Sequence, residues 1–177
     1  MNYFKEFPFI KEDVHARSLS FFFQDKLMGV DRKMIDELRR ITVTEKKNAR
    51  LCVHTSPEDD LHNMIICQHK GTYIRPHKHA EKSEGIHLIE GTLTSVVFDD
   101  AGNVLKKVNM APNTVFAVRT EKNYYHTYIP TSEYVIYHES KPGPFIREGD
   151  SIIAPWSLDE TSENVAHFIN TLISQNG

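Results

Sequence analysis

The sequence predicts an all-β protein, a sandwich or barrel of many short strands, with a short helix before it and a second helix after it. Three observations carry this. Between residues 50 and 139, short segments rich in Val, Ile, Thr and Tyr follow one another closely. Turn chemistry separates them: "SPEDD", "KG", "EG", "DDAGN", "APN" and "KPGP". Apolar spacing of three and four brackets the block, in "DRKMIDELRRI" and again beyond "APW".

In chain order, residues 1–30 read as an N-terminal extension, apolar in patches. Lys5, Glu6, Lys11, Glu12 and Asp13 interrupt any signal-peptide core. No uncharged apolar run approaches the ~18 residues of a spanning helix, so the expectation is a cytoplasmic protein without a membrane partner. Asp31 is placed to cap a helix over 31–41, whose Met34, Leu38 and Ile41 share a face. Strands are expected at 50–55, 63–69, 72–79, 84–90, 92–99, 103–109, 114–119, 125–129 and 134–139. Asp99 to Asn103, "DDAGN", predicts a hairpin between "TSVVF" and "VLKKV". Beyond "APW", Ser157 and Glu160 have capping-box spacing, and Val165, Phe168, Ile169, Leu172 and Ile173 form one apolar face. The organisation is then an extension (1–30), one domain (31–157, helix 31–41 and barrel 50–156) and a C-terminal helix (158–177).

Composition narrows the function. A chain of 177 residues, 40% hydrophobic and 25% charged, suits one globular domain. A net charge of -3 without a basic block leaves no electrostatic footprint for nucleic acid. Cys52 and Cys67, in "RLCVH" and "MIICQH", read as buried core thiols.

The chemistry is concentrated in "GTYIRPHKHAEKSEGIHLIEG", Gly71 to Gly91. Residues two apart on a strand share a face, so His77 and His79 stand side by side, with Arg75 and Tyr73 on the same face. Glu84 opens the next strand after a short loop. Two imidazoles and a carboxylate are a ligand set for a borderline transition ion. His126, sharing its face with Tyr128 on a later strand, is the candidate fourth ligand, and His138 the reserve. A six-coordinate ion would keep about two positions for water, substrate or dioxygen. His87 has the wrong parity and is expected to face away. His15, His54, His62, His69 and His167 are expected to face solvent.

The spacing is more specific than a histidine pair. Gly71, five residues, His77-x-His79, four residues, Glu84, six residues and Gly91 reproduce the first cupin motif. Together with "ARLCVH", "VVFDDAGNV", "HT" at 126–127, "GPF" at 143–145 and "APW" at 154–156, it makes the chain resemble a single-domain cupin. More narrowly, it is similar to the WbuC-type cupin-fold metalloproteins over roughly 31–157. The resemblance implies a jelly-roll barrel with one mononuclear metal on His77, His79, Glu84 and His126, and an association with surface-polysaccharide genes. The general second motif has Pro and Gly before its histidine and Asn four after it. Here Glu121, Asn123 and Pro130 stand there, and Asn tolerates the left-handed conformation that Gly would take.

Arg75 needs an anionic partner. Glu84, Glu90, Glu139 and a ligand's carboxylate or phosphate all remain open. Tyr73 and Tyr128 are expected to line the same cavity, suited to a small polar or sugar-derived ligand. The expected cofactor is one divalent transition metal: zinc, nickel, iron or manganese. Three functions remain open at this stage: a metal-dependent enzyme of isomerase or oxygenase type, a non-catalytic metal-dependent binding module, and a metal-independent sugar-nucleotide epimerase or ketoisomerase-like barrel. A homodimer is expected, because jelly-roll sheets have open edges and the apolar Ser18–Gln24 segment is ill suited to solvent. The other role open to that segment is a flap over its own barrel.

Overall fold

The computed structural model describes residues 3–16, 18–146 and 148–174. Along the chain these form β1 (Ile10–Glu12), β2 (Leu19–Phe23), α1 (Arg32–Glu45), β3 (Ala49–Cys52), β4 (Leu61–His69), β5 (His77–Lys78) and β6 (Glu84–Glu90). There follow β7 (Leu93–Phe98), β8 (Val104–Met110), β9 (Ala117–Thr120), β10 (Tyr125–Pro130), β11 (Tyr134–Pro142), β12 (Ile152–Ile153) and α2 (Val165–Ser174). The strands make two sheets, ordered β1-β2-β3-β4-β11-β6-β9 and β12-β5-β10-β7-β8. Two facing sheets with non-sequential neighbours make a jelly-roll sandwich, the all-β class that the strand pattern predicts.

Alternation along the strands sorts side chains into three layers. Ile86, Leu88, Leu93, Met110, Tyr128, Val135 and Tyr137 pack between the sheets. The outer face of the larger sheet, through Ala49, Leu51, Ile65, Cys67 and Ile136 together with Phe21 and Phe23 of β2, packs against α1. The outer face of the smaller sheet, through Val96, Phe98 and Ile129, packs against Trp156 and Leu172. Cys52 and Cys67 are buried free thiols, with burial pushing them up to about 12 and about 11.

The Asp31 carboxylate accepts from the Met34 N–H at 2.9 Å, capping α1, which runs on past residue 41 to Glu45. Met34, Ile35, Leu38 and Ile41 form its buried stripe. Two further strands lie in the extension. β2 pairs in parallel with β3, and Phe21 and Phe23 are 1% and 0% exposed in the core under α1. The segment is a strand of the sheet rather than a flap, and Phe21 and Phe23 are covered within the chain. α2 begins at Val165, so Ser157 and Glu160 do not cap it. The Ser157 hydroxyl instead donates to the Ala154 carbonyl at 2.7 Å, within the turn after β12.

Gly91 closes the turn from β6 into β7 with φ 77°. A Cβ there would sit 2.4 Å from the Tyr134 carbonyl oxygen and 2.6 Å from Ser132 Oγ. Both the left-handed backbone and the close approach therefore require glycine at the end of the motif. No helix among the described residues is long and apolar enough to cross a membrane.

Candidate metal centre

Two antiparallel strands of the smaller sheet carry the histidines. His126 on β10 pairs with His77 on β5, so both imidazoles enter the space between the sheets at one level. His79 follows two residues on, while Lys78 points the other way, 4.5 Å above the Tyr125 ring on the outer face. On β10 the same alternation sends His126 and Tyr128 inward and Tyr125 and Ile129 outward. Ligand nitrogens of His77, His79 and His126 all lie within 4.8 Å of one another. From the opposite sheet, Glu84 at the start of β6 places Oε1 2.9 Å from His126 Nε2 and Oε2 3.2 Å from His79 Nε2.

Each ring is fixed from behind. His77 Nδ1 lies 3.0 Å from the Arg75 carbonyl, His126 Nδ1 lies 3.0 Å from the Tyr124 carbonyl, and His79 Nδ1 meets the Asp150 carbonyl. A carbonyl only accepts, so each Nδ1 carries its proton and each Nε2 is left as the ligating atom. Asn123, at φ 67°, takes the left-handed conformation and donates its N–H to the His79 carbonyl at 2.8 Å. The left-handed backbone is the conformation expected of Asn123 from the sequence.

Charge is distributed to match. Burial lowers His77 to about 4, keeping that ring neutral near pH 7. Burial opposes ionisation of Glu84, but its bonds to His126 and His79 outweigh it and hold the carboxylate well below its usual range. Burial likewise opposes the His126 cation, and Glu84 outweighs it, so His126 is raised. When both rings are neutral, with the proton on Nδ1, the Nε2 atoms of His79 and His126 have no proton to give Glu84 and are left buried without a hydrogen-bond partner. Three convergent imidazole nitrogens and a carboxylate fit a divalent transition ion.

Tyr128 lies beside the cluster. Its hydroxyl donates to Glu84 Oε1 at 2.8 Å, and burial raises it well above the usual phenol range. Arg75 and Tyr73 do not share the inward face. In their segment only His77–Lys78 pairs as a strand, because Pro76 has no N–H to give a ladder. Period-two parity therefore does not extend back through 72–76. Arg75 turns towards the loop after β12, donating to Ser157 Oγ at 3.3 and 3.2 Å with Asp159 at 3.6 Å. The Tyr73 ring packs edge-on against Phe168 of α2. His138 bonds Asn63 Oδ1 at 3.1 Å, outside the cluster, and His87 is exposed.

The structure also brings in Lys141 and Asp150, which strand spacing did not single out. Tyr137, Glu139 and Lys141 on β11 share an inward face, with Lys141 Nζ 3.3 Å from Glu139 and 3.9 Å from Glu84. Alternation along that strand was the available signal. Asp150 backs His79 and also binds Lys82. It lies in a loop without a period, which offers no signal.

His54 and His62, expected at the surface, are 7% and 3% exposed. Their rings stack 4.2 Å apart, with His54 edge-on to Phe22. Burial lowers His54 to about 4 and lowers His62 as well. A folded value below the unfolded one means the unfolded chain binds the proton more readily. The contribution is complete above about pH 6.5 and lost as pH falls towards 4. For chelator-treated protein, His54→Asn should remove roughly 1 kcal/mol of that loss, read by urea unfolding at pH 7 and pH 4.5. An unchanged pH dependence would contradict this.

A family model described as a domain of unknown function, DUF6016, matches residues 30–110. Among curated proteins none matches the chain. Among solved structures, the chain is similar to the capsular polysaccharide assembling protein CapF from Staphylococcus aureus. The TM-score is 0.52 at 12% identity, over 74% of this chain and 35% of CapF. It is also similar to L-ribose isomerase from Cellulomonas parahominis, with a TM-score of 0.50 at 12% identity, over 63% of this chain and 71% of that one. The chain thus spans about a third of CapF. At such identities the likeness establishes the fold alone, a cupin-type jelly roll.

Proposed function

We propose that this protein is a mononuclear metalloprotein that holds one divalent transition ion on His77, His79, Glu84 and His126 and binds a small polar ligand in the barrel. One observation carries the reading. Three imidazoles have their Nδ1 atoms committed to backbone carbonyls and converge within ligand distance of one another, with the Nε2 atoms of His79 and His126 against the buried Glu84 carboxylate. An ion held there supplies Lewis acidity towards a carbonyl, enediol or dioxygen. The chain's own groups do the rest. The carbonyls of Arg75, Asp150 and Tyr124 orient the rings, and Tyr128 holds Glu84. The second sheet keeps bulk water from the Glu84 side, where the carboxylate is 3% exposed.

An enzyme of isomerase or oxygenase type is the preferred form of this proposal. A sugar-derived ligand suits the metal-bound polar interior, and the fold neighbours named for capsular polysaccharide and L-ribose are compatible with it. The WbuC-type kinship, the link to surface polysaccharide, the cytoplasmic setting and a homodimer belong to the same proposal. The test is cobalt(II) uptake followed by visible absorption across pH. Ligating imidazoles must be deprotonated, and His126 is raised by Glu84. Uptake should therefore be stoichiometric near pH 7.5 and fall steeply below roughly pH 6. Undiminished uptake at pH 4.5 would count against histidine ligation.

A further inference from the structure

Among the described residues, Lys141 is an inward-facing ammonium near the cluster that is held by ion pairs alone. It enters from β11 with its side chain 14% exposed, 3.9 Å from Glu84 Oε2 and 3.3 Å from Glu139 Oε1. Lys82 is different, since its ammonium is engaged by both the Pro144 carbonyl and Asp150. Among the described residues Lys141 Nζ makes these two ion pairs and no aligned hydrogen bond, so its donors remain available. A lysine so enclosed is uncommon unless it is paired, and here the pairing is with carboxylates beside the histidine cluster.

The charges around it indicate its use. Among the described residues, Glu84, Glu139 and Asp150 are the buried carboxylates, and Lys82 and Lys141 are the cations paired with them. With neutral histidines this leaves one negative charge in excess. A divalent ion reverses the balance to one positive charge. Arg50 adds to the surplus. It lies opposite Ile66, which packs between the sheets, and is held by Ser18 Oγ. A surplus of buried positive charge favours an anion. Lys141 presents its charge as a single ammonium point rather than a planar fork, and a small carboxylate is the simplest anion that such a point charge matches.

We infer that Lys141 is a ligand-binding residue and that the barrel takes a small carboxylate-bearing molecule, whose charge Lys141 balances beside the histidine cluster. The inference rests on the metal reading above and names the ligand class for that same site. It also moves the anion contact from Arg75, which turns to Ser157 and Asp159, to the opposite sheet.

Acetate serves as the probe, titrated into the cobalt(II)-loaded full chain and read by visible absorption. The Lys141→Met/Glu139→Leu double variant removes both charges together, so neither is stranded. It should bind cobalt with unchanged stoichiometry and acetate at least tenfold more weakly than wild type. Acetate affinity within threefold of wild type, or no acetate binding by the wild type, would overturn the inference and leave the metal reading standing. A wild type that takes up no cobalt overturns the metal reading and this inference with it. Should the double variant fail to fold, Lys141→Gln is read by the same criteria.

Discussion

Glu84→Ala should abolish stoichiometric metal uptake and also destabilise the metal-free protein by about 3–5 kcal/mol. One carboxylate, 3% exposed, faces His79, His126, the Tyr128 hydroxyl and Lys141. Its loss leaves the Lys141 ammonium with Glu139 alone and the Tyr128 hydroxyl with Thr120. Glu84→Gln separates the two effects. The amide keeps an oxygen for Tyr128 and should cost about 1–3 kcal/mol, while metal uptake is still lost. Urea unfolding of chelator-treated proteins checks stability, and cobalt titration checks uptake. Full cobalt uptake by the Ala variant would remove Glu84 from the ligand set.

The second large effect lies away from the site. Phe23→Ala should destabilise the protein by about 3–5 kcal/mol, lowering Tm by roughly 10 °C. Phe23 is fully buried in the cluster that joins β2, β3 and α1, with its ring stacked on Phe9 at 5.6 Å. Were the Ser18–Gln24 segment a flap or a surface for another copy, the same change would alter self-association and leave monomer unfolding nearly unaffected. Denaturation at two protein concentrations distinguishes these. A loss below about 1 kcal/mol contradicts the core assignment.

What the sequence made legible follows from which physical signal each element carries. Hydrophobic alternation and turn residues gave the nine strands from β3 to β11, because each has partners that enforce the period. β1, β2 and β12 escaped. The Phe-rich β2 shows no alternation, since Phe21 and Phe23 on one face pack under α1 while Phe22 on the other meets His54, and β12 is only two residues long. At the site, parity placed His77 and His126 together because they sit on laddered backbone, and His79, one residue past the strand, keeps its place through the Asn123 N–H bonded to its carbonyl. The same parity failed for Tyr73 and Arg75, where Pro76 interrupts the ladder. The inward placement of Lys141 could be read from Tyr137 and Glu139, but its proximity to Glu84 depends on β11 lying next to β6. That adjacency belongs to topology, and no local pattern encodes it. His54 and His62 were misplaced for a related reason: two polar rings can be buried when they stack on each other.

The central claim is that four side chains on two sheets hold one ion. It is tested most directly by elemental analysis of the full-length protein purified without added metal, beside a His77→Ala/His126→Ala variant of confirmed fold. The account predicts close to one divalent transition ion per wild-type chain and almost none in the variant. Equal metal content in the two proteins, or a wild type that neither carries nor takes up an ion, would contradict it.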